Sequence, residues 1–117
     1  MKLTIPGRCV PAVRMTQKSK FVNPQAQKYL AYKEEVAYRA KRVFAEPLTG
    51  NLTANLVVYF SDNRRRDLDN IYKSVTDALN NIAYLDDSQI TKATIEKVKG
   101  EPERVEIEIR SLVGAGG

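Results

Sequence analysis

Apolar residues recur along this chain with two distinct periods. Leu52, Ala54, Leu56, Val58 and Phe60 alternate with Thr53, Asn55, Val57 and Tyr59, the two-residue period of a strand with one strictly apolar face and one mixed face. Val105, Ile107 and Ile109 alternate with Glu106, Glu108 and Arg110, which predicts a second, one-sided strand. Ile90, Ala93, Ile95 and Val98 follow the rule less strictly and predict a strand over residues 89–98, while Lys2 to Ile5 predicts a short one at the start. Only Gly100-Glu101-Pro102-Glu103 separates the last two strands, so they are expected to form an antiparallel hairpin.

Between these segments the period changes to three and four. Tyr29, Tyr32, Val36, Ala40 and Val43 predict a helix over residues 24–45, opened by Asn23 as cap with Pro24 at the first helical position, and ended by Pro47. Ile71, Val75, Ala78, Leu79 and Ile82 mark a second helix, which Asp69 or Asn70 can cap. The order predicts an α+β fold: a small single domain with a mixed β-sheet of about four to five strands and two main helices packed on it. Residues 1–113 form that domain, and 114–117 are expected to be a flexible glycine-rich tail. A chain of 117 residues supports one core.

Composition narrows the chemistry. There is no histidine, which excludes Ser-His-Asp and Cys-His catalysis, histidine-ligated zinc and histidine general bases. The single cysteine, Cys9, excludes an intrachain disulfide and cysteine-rich zinc sites, and is expected to be a small buried residue. An enzyme built from this chain must work with carboxylates, lysines, arginines and a hard metal. No apolar stretch is long enough to span a membrane, and the first residues lack the apolar core of a secretory signal, so a cytoplasmic protein with no membrane association is expected.

The net charge of +5 is unevenly placed: residues 1–44 carry a balance of +8 and the remainder −3. A basic surface beside a gathering of carboxylates suits a protein that holds phosphate and a cation together. The segment 6–23 is long for a structureless connection and bears Arg8, Arg14, Lys18 and Lys20, with Phe21 near its end and no acid at all. Arg14, Lys18, Lys20, Arg64, Arg65 and Arg66 are the candidate nucleic-acid contacts. Phe21 either packs against the start of the first helix or wedges against unstacked bases.

Arg64-Arg65-Arg66 runs directly into Asp67-Leu68-Asp69-Asn70. In an extended backbone Asp67 and Asp69 point the same way, and two close carboxylates repel unless a cation sits between them. Oxygen ligands without histidine suggest Mg²⁺, with Mn²⁺ as substitute. Lys73 shares a helix face with Asp77, which makes it either half of a surface ion pair or a cation facing a scissile phosphate. By itself D-x-D is a weak signal, common in turns and helix caps.

Arg65-Arg66-Asp67-Leu68-Asp69-Asn70, Lys73, Asp77-Ala78-Leu79 and Leu85-Asp86-Asp87-Ser88-Gln89-Ile90 together resemble the RusA family of Holliday junction resolvases in order, spacing and residue type. Ile5-Pro6-Gly7, Val10-Pro11 and Arg14 resemble that family's N-terminal proline-containing basic loop, although Cys9-Val10-Pro11-Ala12-Val13 is more apolar than in many relatives. The resemblance implies a crossover junction endodeoxyribonuclease of DNA recombination and repair, often prophage-borne. It implies a homodimer that makes paired symmetric cuts in four-way junctions. It also implies Mg²⁺ on Asp67, Asp69 and Asp87, and Lys73 as the essential cation. The alternatives are a nuclease selective for other branched DNA, a non-catalytic junction-binding protein, and an unrelated RNA-processing or structural protein.

Overall fold

A computed structural model describes residues 1–14 and 23–112; Lys18, Lys20, Phe21 and the expected tail at 114–117 lie outside the described residues. The elements in chain order are β1 (Lys2–Pro6), α1 (Pro24–Lys41), β2 (Leu52–Phe60), α2 (Leu68–Ala78), a single 3₁₀ turn (Asp87–Gln89), β3 (Ile90–Lys99) and β4 (Arg104–Ser111). The fold is α+β, with four strands in one mixed sheet and two helices.

Both periods are realised. Along β2 every second side chain from Leu52 to Phe60 is buried, and along β4 Val105, Ile107 and Ile109 are buried while Arg104, Glu106 and Glu108 are half-covered and Arg110 is exposed. With Leu3 and Ile5 of β1 these residues form the apolar face of the sheet. Tyr32, Val36 and Ala40 of α1, and Ile71, Val75 and Ala78 of α2, close it into a single core. Buried area of this kind contributes about 25 cal/mol per Å² of apolar surface, the main favourable part of folding. Asn23 caps α1 by accepting from the backbone N–H of Gln25 (2.9 Å) and Ala26 (3.4 Å), with Pro24 at the first position as expected. The helix stops at Lys41, short of residue 45. Val43 and Phe44 donate their N–H groups to the Ala40 carbonyl and turn the chain toward the core, where Phe44 is buried.

The expected β3–β4 hairpin does not form. The sheet order is β1-β4-β2-β3, so β2 lies between the last two strands. It pairs parallel to β3 on one side and antiparallel to β4 on the other. The connection 100–103 steps across the end of β2, held by the Gly100 N–H on the Phe60 carbonyl (2.9 Å) and the Ser61 N–H on the Glu103 carboxylate (2.9 Å). The difference between the two patterns has the same origin. β4 has a neighbour on each side and alternates cleanly, whereas β3 is an edge strand whose side chains face mostly solvent, with a register shift at Leu52/Thr53. No helix among the described residues is long and apolar enough to cross a membrane. Cys9 is buried, and desolvation pushes its thiol up to about 11, so it packs as a small apolar residue rather than serving as a nucleophile.

Candidate functional site

The β2–α2–β3 unit places the acidic motifs. β2 ends at Phe60, the chain crosses Ser61–Arg66, and α2 returns antiparallel to β2. The 3₁₀ turn then delivers β3 to the Leu52 end of β2. The arginine-rich crossing and the D-D-x-Q turn therefore sit at opposite ends of α2.

The crossing is pinned by ion pairs. Arg66 donates to both oxygens of Asp62 (2.9 and 3.0 Å), and its guanidinium lies 4.3 Å from the centroid of the Phe60 ring. Arg8, also stacked toward Phe60 at 5.7 Å, donates to both oxygens of Glu103 (2.7 and 3.1 Å) and to Asp62 (3.3 Å). Glu103 further accepts from the N–H and hydroxyl of Ser61. Of the three arginines expected to contact nucleic acid, Arg66 is thus occupied and only 18% exposed at its side chain. Arg64 and Arg65 are exposed and form no ion pair among the described residues. Arg8, which the sequence reading did not single out beyond its charge, ties the N-terminal segment to this crossing.

Hydrogen bonds from Arg8, then from the Ser61 N–H and hydroxyl, hold the Glu103 carboxylate down at about 2, against 4.5 for an unperturbed glutamate. A depressed carboxylate contributes stability that is fully present above its unfolded pKa and disappears as pH falls through the folded one. Glu103→Gln is therefore expected to lower the urea midpoint by a constant amount above pH 4.5, with the gap to wild type closing between pH 4.5 and about 2. A gap that stays constant down to pH 2 rules this charge out as the cause.

Asp67, rather than Asp69 or Asn70, caps α2. Its backbone is extended, and its carboxylate accepts from the backbone N–H (3.2 Å) and the side-chain amide (2.9 Å) of Asn70. Asp69 is already helical, in the first turn, where a carboxylate is favoured by the helix dipole. The two acids therefore share the start of a helix instead of one face of a strand. Both are exposed, and with Arg65, Arg66 and Leu68 they line one cleft. A second cleft beside it is lined by Ala12, Val13, Arg14, Asn70 and Lys73. Asn70 also accepts the Ala12 N–H on its carbonyl (2.9 Å), which docks the basic N-terminal segment against α2. Lys73 is exposed and forms no ion pair with Asp77. The fold thus gathers Asp67, Asp69, Lys73, Arg14 and Arg65 at one end of α2.

Asp87 lies on the 3₁₀ turn after α2. It is half-buried, the charge of Asp77 bears on it and on the Tyr29 hydroxyl of α1, and its own charge bears on the Tyr72 hydroxyl of α2. Desolvation, then the charges of Asp86 and Asp77, raise the pKa of Asp87. Eight residues separate Asp69 from Asp77, ~12 Å of helix rise. Among the described residues, no three acidic side chains come close enough together to hold a metal ion.

The rest of the D-D-x-Q turn is structural. Asp86 caps the 3₁₀ turn by accepting from the Ser88 N–H (3.0 Å). Gln89 accepts from the N–H groups of Leu85 and Asp86 and donates to the carbonyls of Leu48 and Gly50. With every bond of the Gln89 amide used, this pair fixes the turn that aims Asp87.

Over residues 6–110 the chain matches the endodeoxyribonuclease RusA family. A stretch of 46 residues is 46% identical to a protein of Bacillus subtilis (strain 168) described as uncharacterized protein YqaN, covering 39% of this chain and 32% of that protein. The matched stretch therefore spans about a third of that relative's length.

Proposed function

The chain belongs to the endodeoxyribonuclease RusA family, and from that premise we propose that it is a Mg²⁺-dependent endonuclease that resolves four-way DNA junctions as a homodimer. The observation that carries the reading is the grouping at the start of α2. Two exposed carboxylates, Asp67 and Asp69, share a cleft with Arg65, and Arg14 and Lys73 line a cleft with the adjacent Asn70; none of these three cations forms an ion pair among the described residues. Acids to hold a divalent cation and bases to hold phosphate are the two requirements of phosphodiester cleavage.

The donor chemistry fits a hard cation: only carboxylates are offered, histidine is absent from the chain, and its one thiol is buried and protonated. Among the described residues, no three acids of one chain lie close enough together to complete the ligand set. Asp67 and Asp69 from one copy, joined by Asp87 from a second, would hold the ion. A divalent cation bound there supplies an activated water and neutralises phosphate charge. Asn70 holds the Asp67 carboxylate in place, and Gln89 with Asp86 holds the turn bearing Asp87. Lys73 stabilises the charge that builds on the phosphate as the bond breaks, acting electrostatically from a rigid helix. Arg14, Arg64 and Arg65 bind the backbone of the junction arms, and two such sites in a twofold dimer match a substrate with two equivalent strands to cut.

The test is incubation of the purified chain with a synthetic four-way junction, a flap and a linear duplex in Mg²⁺. Paired symmetric nicks near the crossover of the junction, with the linear duplex intact, are expected. Equal cutting of flap and junction would make it a general branched-DNA nuclease. Tight binding without cutting in Mg²⁺ or Mn²⁺ would leave a junction-binding protein.

A further inference from the structure

The crossing between β2 and α2 is held from two sides. From within, Asp62 accepts the Arg64 N–H (3.0 Å) and the Arg66 guanidinium (2.9 and 3.0 Å). From the edge of the sheet, the Lys97 ammonium donates to the Arg64 carbonyl (2.9 Å), across 33 residues of sequence. Lys97 belongs to β3 and partners Val58, whose side chain is buried on the face that the helices cover. Its side chain therefore leaves β3 on the helix side, toward the crossing. Lys99 partners Phe60 on the same side, at the point where the crossing begins, and is exposed.

The Lys97 bond is a weak stabiliser. The residue is exposed, and ordering its long side chain offsets most of what a hydrogen bond beside water returns. Its effect is on direction. The Arg64 carbonyl and the Arg65 N–H belong to one peptide plane, so a hold on the first fixes how the chain enters Arg65. Arg66 is committed to Asp62, whereas Arg64, Arg65 and Lys99 are exposed and form no ion pair among the described residues. Arg65 shares its cleft with Asp67 and Asp69, while Arg14 and Lys73 line the neighbouring one. The crossing and the end of β3 thus carry a basic group of their own. Arginine and lysine side chains on an exposed turn hold backbone phosphate, which positions DNA without reading its sequence.

We propose that Lys97 is a positioning residue for DNA: it holds the Arg64–Arg65 peptide so that both guanidinium groups, with Lys99 beside them, meet the backbone phosphates of one duplex arm of the substrate. This rests on the function proposed above and adds to it an arm-docking site built jointly by the crossing and the edge strand. The Arg64 bond leaves two donors on the Lys97 ammonium, but a direct phosphate contact and a positioning role leave different marks. Losing one phosphate contact lowers the salt slope of duplex binding by about 0.9. Losing the hold on Arg64 and Arg65 lowers it by the contacts of both, and makes the effects of Lys97 and Arg64 interdependent.

The experiment is binding of the full chain to a labelled four-way junction and a labelled linear duplex by fluorescence anisotropy, in Ca²⁺ without Mg²⁺, over a range of salt. Lys97→Met keeps the apolar stem and removes the donor. It is expected to bind both probes ~tenfold more weakly, with the slope of log affinity against log salt lowered by ~1.8, the value of two phosphate contacts. The urea midpoint and far-UV circular dichroism are expected at wild-type values, because the bond is exposed. Arg64→Ala is expected to weaken binding of the wild type and to add little in the Lys97→Met background. Lys97→Arg keeps a donor at that place and is expected to bind within about threefold of wild type. In single-turnover cleavage, Lys97→Met is expected to raise the half-saturating junction concentration and leave the saturated rate near wild type. A slope lowered by one contact, with additive loss in Lys97→Met/Arg64→Ala, makes Lys97 a phosphate ligand itself and overturns the positioning role. Unchanged affinity overturns it too, as does a loss of binding that tracks a fall in the urea midpoint in both Lys97→Met and Lys97→Gln. The two readings fail separately. A junction bound with this dependence on Lys97 but never cut overturns the nuclease reading and leaves the docking site standing. A junction cut and bound by Lys97→Met as by wild type overturns the docking site and leaves the nuclease.

Discussion

Asp69→Asn abolishes junction cleavage in Mg²⁺ while junction binding stays as tight as in wild type or tighter. Asp69 is exposed, in the first turn of α2, and makes no hydrogen bond or ion pair among the described residues, so the isosteric change removes a charge and almost nothing else. The folding cost is limited to a lost carboxylate–dipole interaction, about 0.3–1 kcal/mol. The catalytic cost is that of a metal ligand, several kcal/mol at the transition state, which is roughly a 10²–10³-fold lower rate or worse. Binding moves the other way because the acid repels phosphate beside Arg65 and Lys73. Single-turnover cleavage of a labelled junction gives the rate, and gel retardation in Ca²⁺ gives the affinity. Joint loss of binding and cleavage would assign Asp69 a structural role. Unchanged cleavage would remove it from the ligand set.

Mixing two dead variants restores cutting. Asp69→Asn and Asp87→Asn homodimers are each expected to be inactive, because every site then lacks one ligand. In a heterodimer whose sites take Asp67 and Asp69 from one copy and Asp87 from the other, both substitutions fall in the same site and the second site is wild type. Random exchange makes about half the dimers mixed, the ordinary consequence of a symmetric assembly. The recovered activity is expected as a nick in one strand rather than a paired cut. If each chain carried its own complete site, both sites of the mixed dimer would remain broken and no nicks would appear. That the acids of one chain form no three-acid cluster among the described residues is the reason to expect recovery.

Gln89 and Asp86 show how far a motif can be read without coordinates. Their presence in D-D-x-Q was legible and contributed to the resemblance, but their role was not. Only the hydrogen bonds of the Gln89 amide to four backbone groups, two of them around forty residues away in sequence, separate a turn-forming residue from a ligand. Arg66 is similar. As one of three consecutive arginines it reads as a phosphate contact, yet its bidentate bond to Asp62 and its stack on Phe60 commit it to the crossing. Consecutive like charges look equivalent in sequence because their differing orientations are set by the turn that carries them.

The sequence by itself determined the elements and their buried faces, because hydrophobic period is a local property. Two-residue alternation marks β2 and β4, and the spacing of three and four marks α1 and α2. It also determined the kind of chemistry, through what it lacks: without histidine, only carboxylates and basic side chains remain. Tertiary structure alone decided which strands are neighbours, since a four-residue link serves a hairpin or a step across β2 equally well. It also decided where Asp87 stands, on a turn beyond α2 beside Asp77 and, among the described residues, in no three-acid cluster with Asp67 and Asp69, because the packing of that turn rather than the spacing of the motifs sets its place.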